Sequence, residues 1–142
     1  MAEDGDVCVL IPTLDEAETI GDVVRGFREQ GYENVLVIDG RSSDDTVEIA
    51  EAAGAEVMVQ SGSGKGQAVR EAVELIEADY VLMLDGDGTY LPEQADRLLD
   101  PLREGIAEHV VGDRFADMEQ GAMTRLNRLG NGLFNWVFRR VH

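Results

Sequence analysis

Two carboxylates stand two residues apart in the sequence DGDGT, where Asp85 and Asp87 directly follow the apolar run YVLML at 80–84. Carboxylate oxygens suit Mg²⁺ or Mn²⁺, and a cation held by two of them keeps coordination positions for phosphate oxygens. The glycines between and after them let backbone and ligand approach closely. The pattern favours a divalent metal site, and an Asp-Gly turn is the structural alternative.

Three further segments place polar groups next to apolar runs. Asp39 ends the run VLVI and could hydrogen-bond a ribose or a base edge, with a turn or cap residue as the structural alternative. Thr13 and Glu16 follow the first run, but their spacing also fits a capping box at a helix start. Lys65 lies in GSGKG, which predicts free N–H groups and a cation at a helix start, a plausible phosphate cradle.

Several familiar chemistries are disfavoured by what the sequence lacks. The spacing around Lys65 is not that of a Walker A loop, and no GxGxxG follows the first apolar run. Ser-His-Asp catalysis is disfavoured because the only histidines are His109 and His142. The single cysteine, Cys8, excludes an intrachain disulfide and a cysteine zinc site, and its apolar neighbours predict a buried core residue.

Short apolar runs alternate along the chain with segments of helical periodicity. The runs predict strands near 7–11, 35–38, 56–59, 80–84 and 110–111, with Pro12 ending the first. Apolar residues at i, i+3, i+4 and i+7 predict helices between the runs, as at Ile20, Val23, Val24 and Phe27. This order predicts an α/β fold with a mostly parallel sheet, helices on both faces, and a ligand beyond the carboxyl ends of the strands.

The charge is strongly acidic, with 12 Lys and Arg against 29 Asp and Glu in 142 residues, a net −17. Such a chain should repel nucleic acid, and its length suits one domain. No apolar stretch reaches the roughly 18 residues of a membrane span, and the acidic start lacks a signal peptide's basic region, which predicts a cytosolic protein. Lys65 is the only lysine, and an acidic, lysine-poor surface resembles that of proteins from salt-rich cytosols.

Residues 122–142 differ from the rest of the chain. They carry four arginines and no acidic residue, so residues 1–121 carry −21. A wide apolar face beside these arginines predicts a basic amphipathic helix, which either lies on a membrane surface or packs on another part of the protein. We expect residues 1–121 to form the core of the domain and 122–142 to belong to the same domain.

The ordered motifs resemble those of a known family. VCVLIPTLDEAETI, VLVIDGRSSDDT, GSGKGQA, VLMLDGDGTYLPE and VGDRF resemble, in order and spacing, the family 2 glycosyltransferases of GT-A fold. Within that family they look most like dolichyl-phosphate hexose synthases, particularly the archaeal enzymes that begin N-glycan assembly. The resemblance covers essentially the whole chain, and it implies that residues 1–121 form a nucleotide-sugar-binding core of GT-A fold.

The resemblance implies roles for ten residues. Nucleotide binding falls to Pro12, Thr13, Glu16, Asp39, Lys65 and Asp85. Asp85 and Asp87 match the DxD motif, which holds Mg²⁺ or Mn²⁺ and the donor diphosphate. Asp87 and Arg114 take catalytic roles, and Arg114, Arg125 and Arg128 approach the phosphate of a lipid acceptor.

The sequence departs from the family pattern at several points. Asp15 stands where the family usually has Asn, Gly40 replaces a common second Asp, and Thr89 stands where related enzymes often have a metal-binding Gln. The family also continues with an Asp-x-x-x-Gly-Phe-Arg stretch that is absent here, so the chain looks like a truncated catalytic domain.

The implied reaction moves a hexose from UDP-glucose or GDP-mannose to dolichyl or polyprenyl phosphate, with inversion, at the cytoplasmic face of a membrane. Two alternatives stay open. DGDGT also resembles the first motif of haloacid-dehalogenase-type phosphatases, with Asp85 as nucleophile, although no lysine follows Asp87. The chain could also be a non-catalytic nucleotide-binding module.

The excess of acidic residues makes stability depend on salt, because dissolved ions screen the repulsion among like charges. We expect the melting temperature to rise between very low and molar KCl in a thermal melt followed by circular dichroism. A melting temperature that is the same at both concentrations would contradict this prediction.

Overall fold

A computed structural model describes residues 7–112 and 135–139, and it describes side chains within 7–110. These residues form one six-stranded sheet with the order β3-β2-β1-β4-β6-β5. Neighbouring strands run parallel from β3 to β4, whereas β6 is antiparallel to both β4 and β5. The strands are β1 (Val7–Thr13), β2 (Val35–Asp39), β3 (Glu56–Val59), β4 (Tyr80–Met83), β5 (His109–Gly112) and β6 (Asn135–Arg139).

Between β1 and β5, four α-helices lie in the described chain, as the periodicity predicted. They are α1 (Ile20–Glu29), α2 (Thr46–Ala53), α3 (Lys65–Leu75) and α4 (Ala95–Arg103), and a 3₁₀ helix (Pro92–Gln94) precedes α4. Among the described residues, no helix has the length and apolarity that crossing a bilayer requires.

The core has two layers because strand side chains alternate between the faces of the sheet. Val7, Val9 and Ile11 of β1 pack with residues of α1, α2 and α4 on one face. Cys8 and Leu10 pack with residues of α3 on the other. Helices therefore cover both faces, which confirms the expected α/β architecture. Cys8 is buried as predicted, and burial raises the pKa of its thiol to about 12.

The first strand is longer than expected, because β1 continues through Pro12 to Thr13. The carbonyl of Leu10 accepts a hydrogen bond from Leu84 on the β4 side, so Pro12, two residues on, faces that same side. There the pairing with β4 has already ended, at Leu10 and Met83. The missing N–H of Pro12 therefore removes no bond from the sheet, and the expectation that proline ends the strand was wrong.

The expected helix over 122–142 is wrong for Asn135–Arg139, which form β6 between β4 and β5. This segment, NWVFR, is rich in aromatic and β-branched residues, which fit a pleated strand. By pairing with β4 and β5, this segment also supplies hydrogen-bond partners to the backbone groups of both strands. Helical periodicity is a local pattern, so it contains no information about these long-range hydrogen bonds. The rest of 122–142 lies outside the described residues.

An aromatic stack fixes the segment after β4 against α1. The ring of Phe27, which is fully buried, stacks on Tyr90 with centroids 5.8 Å apart and planes 5° apart. The same ring meets the edge of Tyr32 at 6.1 Å. Tyr90 comes directly after DGDGT, so this stack ties the position of that segment to the core.

Phe27→Ala should destabilise the protein strongly, because it removes a fully buried ring and both aromatic contacts. Such truncations cost about 3–5 kcal/mol of the free energy of unfolding. Urea unfolding at constant KCl measures the change, with Leu75→Ala as control, since Leu75 is 64% exposed. A loss below about 1 kcal/mol for Phe27→Ala would contradict the described packing.

Candidate functional site

A buried carboxylate joins the carboxyl ends of β1 and β2. Asp39 is fully buried, and its Oδ1 accepts hydrogen bonds from Thr13 Oγ1 at 2.8 Å and Ser42 Oγ at 2.6 Å. Its Oδ2 accepts the backbone N–H of Ser42 at 2.7 Å. A buried carboxylate is stable only when hydrogen bonds of this kind replace water. Asp39 therefore positions the loops after both strands.

A second set of bonds joins the same two loops farther from the sheet. Asp15 Oδ1 accepts the N–H of Ser43 at 2.7 Å, and Asp15 N–H donates to Ser42 Oγ at 2.8 Å. Glu16 N–H donates to Thr46 Oγ1 at 2.9 Å. The helix begins only at Ile20, so the capping-box interpretation of Thr13 and Glu16 was wrong.

The departure at Asp15 has a structural explanation. Asp15 has a φ of +52°, a backbone conformation that Asp and Asn adopt more readily than most residues. The role of its Oδ1 is to accept the N–H of Ser43, which the side-chain oxygen of Asn could do as well. The replacement of Asn by Asp thus keeps the conformation and the bond.

The DGDGT segment lies beyond the end of β4, beside these loops. Asp85 Oδ1 accepts a hydrogen bond from Lys65 Nζ. Asp87 Oδ1 accepts the N–H of Thr89 at 3.0 Å and its Oγ1 at 2.7 Å. Thr89, which stands where related enzymes often have a metal-binding Gln, therefore orients Asp87. Within the described residues, the Oδ2 atom of each aspartate accepts no hydrogen bond.

Glu16 packs against the backbone between the two aspartates. A Cβ added at Gly86 would collide with Glu16 Oε2 and lie 3.1 Å from Thr13 Cγ2, so a larger residue there would displace the Glu16 carboxyl group. Thr19 Oγ1 donates to the carbonyl of Gly86 at 2.6 Å and closes the contact. The first loop and the DGDGT segment therefore form one surface.

The carboxyl group of Glu16 is in an unfavourable place for a charge. Its Oε2 is buried and has no hydrogen-bond partner among the described residues. Burial, followed by the charges of Asp87 and Asp85, raises the pKa of Glu16 to about 7, while Lys65 opposes the rise. An unpaired buried oxygen beside two carboxylates is typical of a functional site rather than of a structural surface.

The residues present fit a divalent cation. Asp85 and Asp87 offer hard oxygen donors, and the Glu16 Oε2 atom is a third, unpaired oxygen nearby. No three acidic, histidine or cysteine side chains of the described residues are already arranged as a metal-binding group. A site built on two carboxylates leaves room for phosphate oxygens and water, which is how Mg²⁺ is commonly bound.

The glycine-rich loop before α3 is held from two sides. Glu71 accepts the N–H groups of Ser61 at 2.9 Å and Gly62 at 3.1 Å, and the Oγ of Ser61 at 2.7 Å. These bonds lower the pKa of Glu71 to about 2. Arg41 donates to the carbonyl of Gly62 and so links this loop to the one after β2. Lys65 begins α3 as expected and points to Asp85.

The structure thus brings seven of the ten predicted site residues to the carboxyl edge of the parallel strands. These are Pro12, Thr13, Glu16, Asp39, Lys65, Asp85 and Asp87. Arg114, Arg125 and Arg128 lie outside the described residues, so their roles stay predictions. Sequence reasoning missed Ser42, Thr46 and Glu71, whose only signal is that each is a polar residue near a loop.

A cavity of about 440 Å³ lies near the amino-terminal ends of the parallel strands, opposite the predicted site residues. Cys8, Leu36 and Met58 contribute to its wall, together with Ile76 at the end of α3. None of the predicted site residues lines it. The chemistry-bearing side chains therefore gather where strand polarity places them in α/β sheets, away from this cavity.

Comparison with known proteins matches residues 8–139 to the family model described as glycosyl transferase family 2. The chain belongs to glycosyl transferase family 2. This family 2 chain is 65% identical over 137 residues to Glycosyltransferase AglJ of Haloferax volcanii, covering 96% of this chain and 45% of that protein. It is 37% identical to a dolichyl-phosphate hexose transferase of the same organism, covering 91% and 56% respectively. The chain spans about half the length of these two relatives.

Solved structures confirm the GT-A fold of this family 2 chain. Glucosyl-3-phosphoglycerate synthase from Mycobacterium tuberculosis, in complex with Mn²⁺, UDP-glucose and phosphoglyceric acid, superposes with a TM-score of 0.71 at 22% identity. The alignment covers 94% of this chain and 56% of that one. The expectation of a GT-A fold with a mostly parallel sheet is confirmed.

Glu16→Gln should stabilise the metal-free protein, and more so at pH 8 than at pH 4.5. Between the ordinary pKa of 4.5 and the raised pKa of about 7, the folded protein keeps a proton that the unfolded chain has released. Wild-type stability therefore falls as the pH rises through this window, and the variant escapes that loss. After allowance for solvent screening, the gain at pH 8 is about 1–2 kcal/mol.

Urea unfolding with a chelator present measures this difference at both pH values. Glu18→Gln is the matched control, because Glu18 is an exposed acid in the same loop. A difference between Glu16→Gln and wild type that does not change with pH would contradict the described surroundings of Glu16.

Proposed function

We propose that this family 2 chain transfers a hexose from a nucleotide diphosphate sugar to dolichyl or polyprenyl phosphate, with inversion. The observation that carries the proposal is the cluster of Asp85, Asp87 and Glu16 around Gly86, faced by Lys65. Such a cluster suits a cation and a diphosphate, whose charges complement the carboxylates and the ammonium group.

Asp85 and Asp87 would hold Mg²⁺ or Mn²⁺ in this proposal. When bound, the cation would neutralise the negative charge that develops on the departing diphosphate. Thr89 holds Asp87 in place through two hydrogen bonds, and Thr19 fixes the carbonyl between the aspartates. The solved relative with Mn²⁺ and UDP-glucose supports a donor of this class.

The nucleoside end of the donor would lie along the loops after β1 and β2. Pro12 and Thr13 end β1 in this region, and Asp39 orders both loops through its three hydrogen bonds. Gly40 lies beside Gln60, whose Oε1 is 3.8 Å from the position of a Cβ on Gly40. The base and the sugar are both open in this proposal, with UDP-glucose and GDP-mannose as the candidates.

A phosphate acceptor does not require a strong general base. Phosphate monoesters are already ionised near pH 7, so the acceptor oxygen can attack without first losing a proton to the protein. Direct attack on the anomeric carbon with departure of the nucleoside diphosphate inverts that centre. Arg114, Arg125 and Arg128 would bind the acceptor phosphate, and Arg114 would also act in catalysis.

The acceptor implies a place at the cytoplasmic face of a membrane. The relative named as a dolichyl-phosphate hexose transferase supports a lipid-linked acceptor. The part of 122–142 that precedes β6 carries Arg125 and Arg128 and no acidic residue, and it would approach an anionic surface, which the net charge of −21 on residues 1–121 repels.

Family membership weighs against the phosphatase alternative, in which Asp85 is a nucleophile. In addition, DGDGT follows the fourth strand here, whereas the phosphatase motif lies near the N-terminus. The non-catalytic alternative is tested directly by the experiment below, because it requires nucleotide binding without transfer.

Asp87→Ala should lower transfer at least about 100-fold, since one group that stabilises transition-state charge is commonly worth that much. The assay follows radiolabelled hexose from UDP-glucose or GDP-mannose into dolichyl phosphate, with Mg²⁺ or Mn²⁺ present. Asp79→Ala is the matched control, because Asp79 is an exposed aspartate just before β4, at its other end. Calorimetric titration with UDP and GDP reports binding independently.

Full metal-dependent transfer by Asp87→Ala would overturn the assignment of Asp87. Binding of UDP or GDP by the wild-type protein without any transfer or donor hydrolysis would favour the binding-module alternative. A covalent aspartyl-phosphate trapped at Asp85 would favour the phosphatase.

A further inference from the structure

Lys65 and Asp85 form an ion pair at the centre of the acidic cluster. Lys65 Nζ donates to Asp85 Oδ1, and the two side chains are 38% and 25% exposed. The pair joins the first residue of α3 to the residue that opens the DGDGT segment. Lys65 thus occupies one of the two oxygens with which Asp85 would bind a cation.

Lys65 is the counter-ion of two carboxyl groups in the described part of the site, those of Asp85 and Glu16. Asp85 is bonded to it, and the charge of Lys65 acts on Glu16 against those of Asp85 and Asp87. The described residues place no second cation in hydrogen-bond contact with Asp85, Asp87 or Glu16. Displacing Lys65 without replacing its charge would therefore leave the carboxylates mutually repulsive.

The lysine has both the chemistry and the room to change partners. The ammonium group of lysine carries three hydrogen-bond donors on a flexible four-carbon chain, whereas the donors of arginine are fixed in a planar fork. It is flanked by Gly64 and Gly66, where an added Cβ would meet no atom within 4 Å, so the space beside its backbone is open. A diphosphate bound at Asp85 and Asp87 would bring a second anion within reach of this side chain.

We propose that Lys65 exchanges partners, pairing with Asp85 before the donor binds and with the donor diphosphate afterwards, so that nucleotide and divalent cation bind cooperatively. A cation arriving alone competes with Lys65 for Asp85. A cation arriving with the nucleotide does not, because the diphosphate has taken Lys65. This inference rests on the proposed function and adds to it an order of events in the site.

The first test measures the Kd of Mn²⁺ by electron paramagnetic resonance, without nucleotide and with saturating UDP or GDP. Wild type, Lys65→Met and Arg70→Met are compared in the full chain at one KCl concentration. Arg70 is the matched control, an exposed cation farther along α3. Thermal melts of the three proteins establish that each is folded.

In Lys65→Met, Mn²⁺ should bind about two- to fivefold more tightly without nucleotide, the range expected when a partly exposed ion pair is removed. The ratio of the Kd values without and with nucleotide should fall by at least the same factor. Arg70→Met should leave that ratio unchanged. If Lys65 acted only through the repulsion between its positive charge and Mn²⁺, it would weaken Mn²⁺ binding equally with and without nucleotide. The ratio of the two Kd values would then be the same in Lys65→Met as in wild type, and that result would overturn the inference.

A second test observes the side chain itself. Because Lys65 is the only lysine, labelling with ¹³C-lysine gives a single Cε signal in an NMR spectrum. The signal should differ between wild type and Asp85→Ala in the free state, and in wild type it should move when Mg²⁺ and UDP or GDP are added together. Identical free-state signals in wild type and Asp85→Ala would overturn the pairing.

The two proposals fail in different ways. If wild type binds neither UDP nor GDP with Mn²⁺ present, the proposed function fails and the inference fails with it. If wild type binds both ligands and transfers hexose, but Lys65→Met keeps the wild-type ratio, only the partner exchange is wrong.

Discussion

The hydrogen bond from Thr13 to the buried carboxylate of Asp39 is the contact from which the rest of the site is built. It links two adjacent parallel strands at the point where both end, so it fixes where two loops begin. Burying a carboxylate is costly, and the cost is offset only if Ser42 also comes close enough to donate twice. The requirement to satisfy one charge therefore specifies the path of the loop after β2, which in turn provides partners for Asp15 and Glu16.

Local patterns predicted the elements whose residues interact with neighbours in sequence. The four helices, the first five strands and the gathering of Asp39, Lys65 and Asp85 at one edge follow from periodicity and strand polarity. The errors concern contacts between distant segments. Thr13 and Glu16 have the spacing of a capping box, yet Thr13 is bonded to a residue 26 positions away. Likewise, β6 forms because β4 and β5 need a partner, which no window of the sequence reveals.

The acidic residues of this molecule form two groups with different surroundings. Most of the acidic residues that the structure describes are exposed, so water and salt screen their charges. Glu16, Asp85 and Asp87 instead lie close together around Gly86, with a buried oxygen that lacks a partner. The first population affects solubility and salt dependence, whereas the second stores electrostatic repulsion that a cationic ligand can relieve. Net charge alone does not distinguish the two groups, but the position of each residue in the fold does.

The position of β6 also constrains how the protein is made. Strands β1 to β4 can pair with one another as they leave the ribosome, because each is adjacent to a strand already synthesised. Among the described strands the fifth has no such neighbour, since it pairs there with β6, whose last residue is Arg139. Until β6 emerges, the free edge of β4 stays open to unintended pairing. The strands that position Thr13, Asp39 and Asp85 can thus form early in synthesis, while the other side of the sheet waits for β6.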